Sequence, residues 1–251
     1  MTLLYVLLPL VTVLSLSFSS EFKLAFGLLP TKPTFWWYIY WSDTIFEAAG
    51  LSLTVALASS IIGLIIGFPV AYLLAKKEFS GKKLLNILVL LPIIFPPFVL
   101  GFELVQLFKI EPFNMINPLL RLILAHSIIV APYIIRPTAS ALEEVDVNLE
   151  EAARSLGASA FSVFWKIDMP LAIDAIIAGF VFALTRSLGD FDTTLYLIEP
   201  GYTTLPIEIF NANLVGNSML TMAVGAVSFI LSVLFIIGVE AIIRTRGRRI
   251  R

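Results

Sequence analysis

The sequence contains no cysteine, only one histidine and few charged residues. Among its 251 residues, Asp, Glu, Lys and Arg together make up 14%, and the formal net charge is −1. The absence of cysteine excludes a disulfide framework and a thiolate metal site. Because His126 is the only histidine, a histidine-based metal cluster within one chain is excluded as well. Composition therefore removes the disulfide-stabilised and the Cys/His metal-binding classes of protein.

The sequence also lacks a phosphate-binding loop for nucleotides. No G-x-x-x-x-G-K-[ST] pattern occurs in it, and the GKK tripeptide that starts at Gly81 has neither the upstream glycine nor the hydroxyl residue. We therefore expect no catalytic residue, no resident cofactor and no metal on this chain. Any ATP or Mg²⁺ chemistry linked to its activity is expected on another subunit.

Hydrophobic residues make up 59% of the chain, and its mean hydropathy is +0.95, far above that of ordinary soluble domains. A membrane-spanning helix needs about 20 mostly apolar residues, and we count six candidate runs. They comprise residues 2–18, 48–75, 84–106, 118–142, 170–198 and 219–243. We therefore predict an all-α integral membrane protein with six transmembrane helices in a single domain, residues 1–251. The first run has no basic residue before it and no small-x-small cleavage pattern after it, so we interpret it as retained.

Basic residues are concentrated in two segments that lie on the same side of a six-span protein. Residues 76–83, KKEFSGKK, hold four lysines, and residues 244–251, RTRGRRIR, hold five arginines. Cytoplasmic loops are enriched in Lys and Arg. We therefore expect a multi-pass protein with both termini, and the loop at about residues 143–169, in the cytoplasm.

This cytoplasmic loop carries the start and stop signals of two short helices. Asn148 followed by Glu151 matches a capping box, and Gly157 is a left-handed stop. Ser159 and Asp168 are the expected N-caps of a second short helix and of the fifth span. One face of the first helix is apolar, formed by Leu149, Ala152, Ala153 and Leu156. Because helices of two turns are unstable alone in water, they need a surface to dock on, either the membrane face of the protein itself or a partner.

The spacing of the loop is more specific than its capping pattern. Glu151-Ala152-Ala153, three residues, Gly157, nine residues and Ile167-Asp168-Met169-Pro170 resemble the EAA loop of type I importer permeases of ATP-binding cassette (ABC) systems. That loop reads EAA, three residues, G, nine residues, I-x-L-P, and Met169 in place of Leu is a volume-conserving departure. From about residue 48 onward, LPIIFPPFVLGF, IVAPYIIRPTASALEEVDVNLEEAARSLGA and SLGDFDTTLYLIEPGYTTLPIEIFN also resemble this family. The similarity is greatest to permeases for spermidine/putrescine, iron, thiamine and molybdate, tungstate or sulfate.

The resemblance implies that the loop contains a coupling helix that docks on a cytoplasmic ATPase. The residues implied in this contact are Glu150, Glu151, Ala152, Ala153, Leu156, Gly157, Ile167 and Pro170. It also implies a permease in a prokaryotic inner or plasma membrane, surrounded by lipid and not bound to nucleic acid. The implied partners are an ATPase dimer, a second permease subunit, identical or homologous, and an extracellular or periplasmic solute-binding protein.

Charged residues within the fifth run are candidates for the translocation pathway. Charges inside a span usually face a cavity or one another, and Arg186, Asp190 and Asp192 form the clearest set. Arg186 and Asp190 are four residues apart and can instead simply neutralise each other at a helix interface. We expect His126 to hydrogen-bond a neighbouring helix.

Proline and short apolar segments predict irregularities in the spans. Prolines 92, 96 and 97 in the third run and prolines 132 and 137 in the fourth are expected to kink or break those helices around a cavity. Residues 206–216 are too short to span and are interpreted as an outer gate or interfacial helix.

The EAA-like loop predicts the class of function, and the charged residues in the fifth run predict the class of substrate. Arg186 against Asp190 and Asp192 leaves one excess negative charge, which favours a polyamine-like cation or a metal ion. An oxyanion that uses Arg186 and backbone amides is the alternative, and an ion-gradient-driven secondary transporter is a further rival. An intramembrane aspartyl protease is disfavoured because no Tyr-Asp dipeptide occurs and Ser187 replaces the first glycine of Gly-x-Gly-Asp.

Overall fold

The computed structural model describes residues 2–25 and 29–247 of the chain, which are mostly helical. In chain order, the elements are α1 (Thr2–Ser17), the paired strands β1 (Leu24–Ala25) and β2 (Leu29–Pro30), α2 (Trp36–Tyr40), α3 (Ser42–Lys76), α4 (Lys82–Ile94), α5 (Pro97–Phe108), a 3₁₀ turn (Phe113–Met115), α6 (Pro118–Glu143), α7 (Val147–Ser155), α8 (Ala160–Val163), a π-helical turn (Phe164–Asp168), α9 (Met169–Leu188), α10 (Asp192–Leu197), α11 (Leu205–Leu214) and α12 (Ser218–Gly247).

Four of the described helices are long and apolar enough to cross a membrane. They are α3, α6, the continuous helix Ala160–Leu188 that joins α8, the π turn and α9, and the segment Ser218–Gly238 of α12. The bent pair α4 and α5 adds a fifth if it counts as one span. The first predicted run is helical as α1, whose 16 residues are fewer than the about 20 that a span needs. Four or five candidate spans are therefore present by length and composition.

The third predicted run is broken rather than continuous. The axes of α4 and α5 differ in direction by 107°, and the break lies at Phe95 and Pro96. Pro96 and Pro97 have no backbone N–H to continue the ladder, and Pro97 opens α5 in the first-turn position that proline tolerates. Pro132 and Pro137, in contrast, lie inside α6, which runs without interruption.

The fifth predicted run, residues 170–198, has the wrong boundaries. Its helix starts further back, at Ala160, and ends at Leu188, after which residues 189–191 turn the chain into α10. The carboxylate of Asp190 lies in this turn and accepts a hydrogen bond from the backbone N–H of Thr194 in α10. A polar side chain that satisfies backbone donors of its own allows the span to end before its apolar sequence does.

The packing of α3 and α9 against α6 depends on three glycines. Gly63 and Gly67 form a G-x-x-x-G pattern on α3, which packs along α6. A Cβ at Gly67 would lie 3.0 Å from Cγ1 of Ile135. Gly179 brings α9 against the α6 backbone, where a Cβ would lie 2.9 Å from the carbonyl oxygen of Tyr133. The three-helix core of α3, α6 and α9 therefore requires small residues at its crossings.

We predict that Gly179→Ala destabilises the protein. Backbone atoms of α6 cannot move aside cheaply, so overpacking is expected to cost about 1–3 kcal/mol. The matched control is Gly50→Ala on α3, where no atom lies within 4 Å of the added carbon and helix propensity improves. Thermal unfolding of the purified proteins in detergent should show a lower melting temperature for Gly179→Ala alone. Equal melting temperatures for the two variants would contradict the close crossing.

Candidate functional site

Helix α7 begins at a different cap from the one predicted. The carboxylate of Asp146 accepts hydrogen bonds from the backbone N–H of Asn148 at 2.9 Å and from its side-chain amide at 2.8 Å. Asn148 is therefore a first-turn residue, and the predicted capping box of Asn148 with Glu151 is wrong. A charged cap interacts more strongly than a neutral one with the positive end of the helix dipole, which favours Asp146.

The end of α7 and the start of the next helix confirm two of the predicted signals. Gly157 has a φ of +88°, and the N–H groups of Gly157 and Ala158 bond back to the carbonyls of Arg154 and Ala153. These two bonds form a Schellman motif, which explains the glycine. The hydroxyl of Ser159 accepts from the N–H of Ser162 at 3.2 Å and so caps α8.

Asp168 does not cap the fifth span, contrary to the prediction. Its backbone is helical, with φ −63° and ψ −52°, and its side chain makes no capping bond. The chain stays helical through the π turn, which ends two residues before Pro170. Pro170 has no N–H group to donate the regular helical hydrogen bond. Asp168 therefore does not cap a helix. It lies within the continuous helix, and its side chain is fully buried.

The predicted apolar stripe of α7 faces away from the rest of the protein. The exposed fraction is 52% for Leu149 and 89% for Leu156, and Ala152 is exposed as well. Of the other residues implied by the resemblance, Glu151, Gly157 and Pro170 are exposed, whereas Ala153 and Ile167 are partly buried. This face of α7 thus presents apolar surface that no described part of the chain covers.

The opposite side of α7 is fixed to the end of α3 by an ion pair. Glu150 is buried, and its Oε1 lies 2.5 Å from Nζ of Lys76, the last residue of α3. Its other oxygen lies 3.3 Å from the Arg154 guanidinium. Oδ1 of Asp168 lies 3.9 Å from the same Lys76 nitrogen. The resemblance implied Glu150 in the contact with the ATPase, and the ion pair with Lys76 was not predicted because it joins residues 74 positions apart.

The second candidate site lies where α9 turns into α10. Nη1 of Arg186 lies 2.8 Å from Oδ1 of Asp190, and the Asp190 side chain is almost fully buried. The hydroxyl groups of Thr193 and Thr194 donate hydrogen bonds to the Asp190 carboxylate at 3.4 Å and 3.2 Å. The Asp190 carboxylate is thus occupied by protein groups and braces this turn.

His126 on α6 extends this site into a buried polar network. Its Nδ1 lies 2.7 Å from the hydroxyl of Ser187, and its Nε2 lies 3.0 Å from that of Thr194. Ser187 in turn lies 3.3 Å from the hydroxyl of Ser59 on α3. The predicted hydrogen bond from His126 to a neighbouring helix is confirmed. Sequence reasoning missed Ser59, Ser187 and Thr194, for which hydroxyl groups within apolar runs are the available signal.

The three predicted pathway residues differ in their exposure. Asp190 is buried, Arg186 is partly buried with 25% of its side chain exposed, and Asp192 is exposed. No described residue forms an ion pair with Asp192. The charge of Arg186 is thus matched by Asp190, and Asp192 presents an unmatched carboxylate at the start of α10.

A cavity of about 430 Å³ lies among α3, α4, α5 and α6. It is lined by apolar side chains, including Pro92 and Pro132, and the Ser127 hydroxyl that also lines it bonds to its own helix. The cavity therefore offers few polar groups that could bind a charged solute.

The predicted short helix at residues 206–216 is present as α11, where the backbone N–H of Leu205 donates to the Ser52 hydroxyl at 2.8 Å.

Residues 63–249 match the family described as the binding-protein-dependent transport system inner membrane component. The spermidine/putrescine transport system permease protein PotC of Escherichia coli is 29% identical over 247 residues, covering 97% of this chain and 91% of that protein. The putrescine transport system permease protein PotI of Escherichia coli is 32% identical over 206 residues, covering 77% and 73%. The molybdenum transport system permease protein ModB of Haemophilus influenzae is 33% identical over 179 residues, covering 66% and 78%.

Two solved structures share the fold at low sequence identity. The MetNI methionine ABC transporter, in an inward-facing conformation, contains a chain with a TM-score of 0.70 and 21% identity, covering 81% of this chain and 96% of that one. A bacterial ABC transporter for the acidic polysaccharide alginate contains one with a TM-score of 0.68 and 20% identity, covering 97% and 91%.

We predict that Asp190→Asn and Asp192→Asn differ in their effect on stability. Neutralising Asp190 leaves the Arg186 guanidinium without its partner in a mostly buried position, which is expected to cost on the order of 3 kcal/mol. Asp192→Asn, two residues away and exposed, should be within about 0.5 kcal/mol of the native chain. Unfolding in mixed detergent and SDS micelles measures both. A stable Asp190→Asn variant would show that the network does not brace the turn.

Proposed function

The chain belongs to the family of binding-protein-dependent transport system inner membrane components, and on that premise we propose that α7 is the helix through which a separate ATPase drives transport. As a member, it is the membrane permease subunit of an ABC importer and is a transport subunit, not an enzyme. Family membership favours ATP-driven import over the gradient-driven carrier.

The observation that carries the coupling role is the opposite character of the two faces of α7. One face is anchored through Glu150, while the other exposes Leu149 and Leu156. Exposing such apolar side chains to water has an unfavourable free energy. A short helix needs such tertiary support on one side and gains more from a partner on the other. Supporting this role, Glu151, Ala152, Ala153 and Gly157 keep the EAA spacing, with Ile167 and Pro170 at its far end.

We infer a six-span topology with both termini in the cytoplasm. The bent α4 and α5 count as one span, and α1 adds to the four long helices and this pair to give six. In this topology α7 lies in the cytoplasm, on the same side as the lysines of residues 76–83. Two permease subunits, identical or homologous, then enclose the pathway. An ATPase dimer that holds ATP and Mg²⁺ binds on the cytoplasmic side of the membrane. A solute-binding protein docks on the opposite side.

We propose a polyamine-like cation or a metal ion as the solute. Arg186 is matched by Asp190, so the carboxylate of Asp192 is the uncompensated charge of the pathway residues and attracts cations. The names of PotC and PotI, spermidine/putrescine and putrescine permeases, are in keeping with this choice. An oxyanion is the second candidate, because Arg186 is partly exposed and ModB is named for molybdenum transport.

The coupling proposal predicts a crosslink between α7 and the ATPase. Because the chain contains no cysteine, Leu156→Cys introduces a unique thiol at an 89% exposed position. A bifunctional thiol reagent applied to native membranes should join this variant to a protein that carries a phosphate-loop motif, identified by mass spectrometry. Met115→Cys, 85% exposed near the other end of the bundle, is the matched control and should give no such product.

A second variant tests whether the conformation of α7 matters to assembly. Gly157→Pro is incompatible with the φ of +88°, since proline fixes φ near −65°, and it should disrupt the turn after α7. The ATPase should co-purify with the native chain and be lost from Gly157→Pro. Retention of the ATPase by this variant, or absence of any ATPase with the native chain, would contradict the coupling role.

The solute proposal predicts a selective effect of Asp192→Asn. Losing the exposed carboxylate should raise the KM for a cationic solute roughly tenfold, the scale of about 1.4 kcal/mol of charge interaction. Asp174→Asn, exposed elsewhere on α9, is the control and should leave KM unchanged. Uptake of labelled putrescine, Mn²⁺ and molybdate into proteoliposomes compares the candidates. An improved KM for molybdate in Asp192→Asn would favour the oxyanion instead.

A further inference from the structure

Four charged side chains meet where α7 joins the membrane helices, and we refer to them as the Lys76 cluster. It consists of Lys76 on α3, Glu150 and Arg154 on α7, and Asp168 on the helix Ala160–Leu188. The cluster thus connects the proposed coupling helix to two of the three helices that form the core of the bundle.

Two carboxylates in this cluster compete for one ammonium group. The side chains of Lys76 and Glu150 are only 11% and 10% exposed, and that of Asp168 is fully buried. Arg154 is 56% exposed, and among the described residues it forms an ion pair with Glu150 alone. Lys76 therefore supplies the nearest positive charge to both acids.

Asp168 is the under-satisfied member of the cluster. Neither of its carboxylate oxygens has a hydrogen-bond partner among the described residues, and the Lys76 nitrogen lies 3.9 Å away. A buried carboxylate without hydrogen bonds is costly. Glu150, in contrast, holds the Lys76 nitrogen at 2.5 Å. Lys76 is therefore bound to Glu150, while Asp168 lies close by without a hydrogen bond.

We propose that Lys76 is the positioning residue that passes movement of α7 into the bundle, and that its ammonium exchanges from Glu150 to Asp168 as α7 moves. This inference rests on the proposed coupling role of α7. Hydrogen bonds from an ammonium to a carboxylate are about 2.8 Å long, so a shift of about 1 Å brings Lys76 onto Asp168. The flexible lysine stem with three donors suits such an exchange better than a rigid guanidinium.

The exchange gives each position of α7 its own stabilising contact. With α7 in the position seen here, Lys76 bonds to Glu150 and the end of α3 is held to α7. When an attached ATPase displaces α7, the ion pair to Asp168 replaces the lost contact and holds α3 to the helix Ala160–Leu188. Two discrete arrangements of one ion pair constitute a two-state element that transmits movement between sites.

The test uses the complete importer in proteoliposomes, with its ATPase and binding protein, and measures solute uptake and ATP hydrolysis together. Lys76→Met should lower the uptake rate at least about tenfold, because both buried acids lose their counter-charge, while ATP hydrolysis continues and more ATP is consumed per solute. Lys76→Arg should restore part of the uptake. Lys77→Met, the same change at the adjacent exposed lysine, is the control and should match the native protein.

Asp168→Asn separates the exchange from a merely structural ion pair. If Lys76 only fastens Glu150, removing a buried unsatisfied carboxylate should leave transport unchanged and stability equal or higher. The exchange instead predicts a turnover number at least about threefold lower, with KM for the solute unchanged. Asp174→Asn on the same helix is the control. Native turnover in Asp168→Asn, or native uptake in Lys76→Met, would overturn the inference.

The crosslink at Leu156→Cys distinguishes failure of this inference from failure of the coupling role. It should form equally in the native, Lys76→Met and Asp168→Asn backgrounds if α7 still docks on the ATPase. A crosslink with native transport in both variants refutes the Lys76 exchange and leaves the coupling role intact. No crosslink in the native background refutes the coupling role and this inference with it.

Discussion

The structure depends on one constraint, that polar groups within a lipid bilayer must be satisfied by the protein itself. Backbone groups meet it by forming helices, and side chains meet it by pairing. Two pairs of opposite charges in the bundle interior follow this rule, Arg186 with Asp190 and Lys76 with Glu150. The hydroxyl groups around His126 extend the first pair into a network that joins α3, α6, α9 and α10. Asp168, a buried carboxylate whose oxygens lack a hydrogen bond among the described residues, departs from this rule, as do several buried hydroxyl groups, among them those of Ser60 and Thr138.

Close approach of the helices is the second requirement, since lipid gives no hydrophobic reason for helices to associate. Gly63 and Gly67 on α3 and Gly179 on α9 supply it by letting helices meet α6 at backbone distance. The same proximity brings Ser59, His126 and Ser187 within hydrogen-bond reach of one another. Packing and polar satisfaction are therefore two results of the same glycine positions.

Local signals in the sequence were reliable where a single segment decides the outcome. Gly157 ends α7, Ser159 caps α8 and the Pro96-Pro97 pair breaks the third run, because each effect acts through the backbone of its own neighbours. The EAA spacing likewise identified the family that residues 63–249 match. The sequence pattern did not distinguish between two nearby residues that can cap a helix, and the N-cap of α7 is Asp146 rather than Asn148.

Positions decided by distant residues were not predictable from one sequence. The resemblance implied Glu150 in the ATPase contact, yet its side chain is buried and pairs with Lys76, 74 residues away in the sequence. At the early end of the fifth span, Asp190 bonds to Arg186 and Thr194 of its own segment, but it also lies beside His126 of α6, which is distant in the sequence. Hydropathy averages such residues into a longer apolar run, which is why residues 170–198 were predicted as one helix.

The two polar sites are linked by the helices they share. Helix α3 carries Lys76 at its end and Ser59 about 26 Å earlier, at 1.5 Å per residue. The helix Ala160–Leu188 carries Asp168 near one end and Arg186 and Ser187 near the other. Each helix therefore has one contact in the Lys76 cluster and another in the network around His126. Because both helices pack along α6, the proposed exchange at Lys76 is expected to change the second set of contacts as well. Movement of α7 would then reach the start of α10, where Asp192 lies, through helices alone.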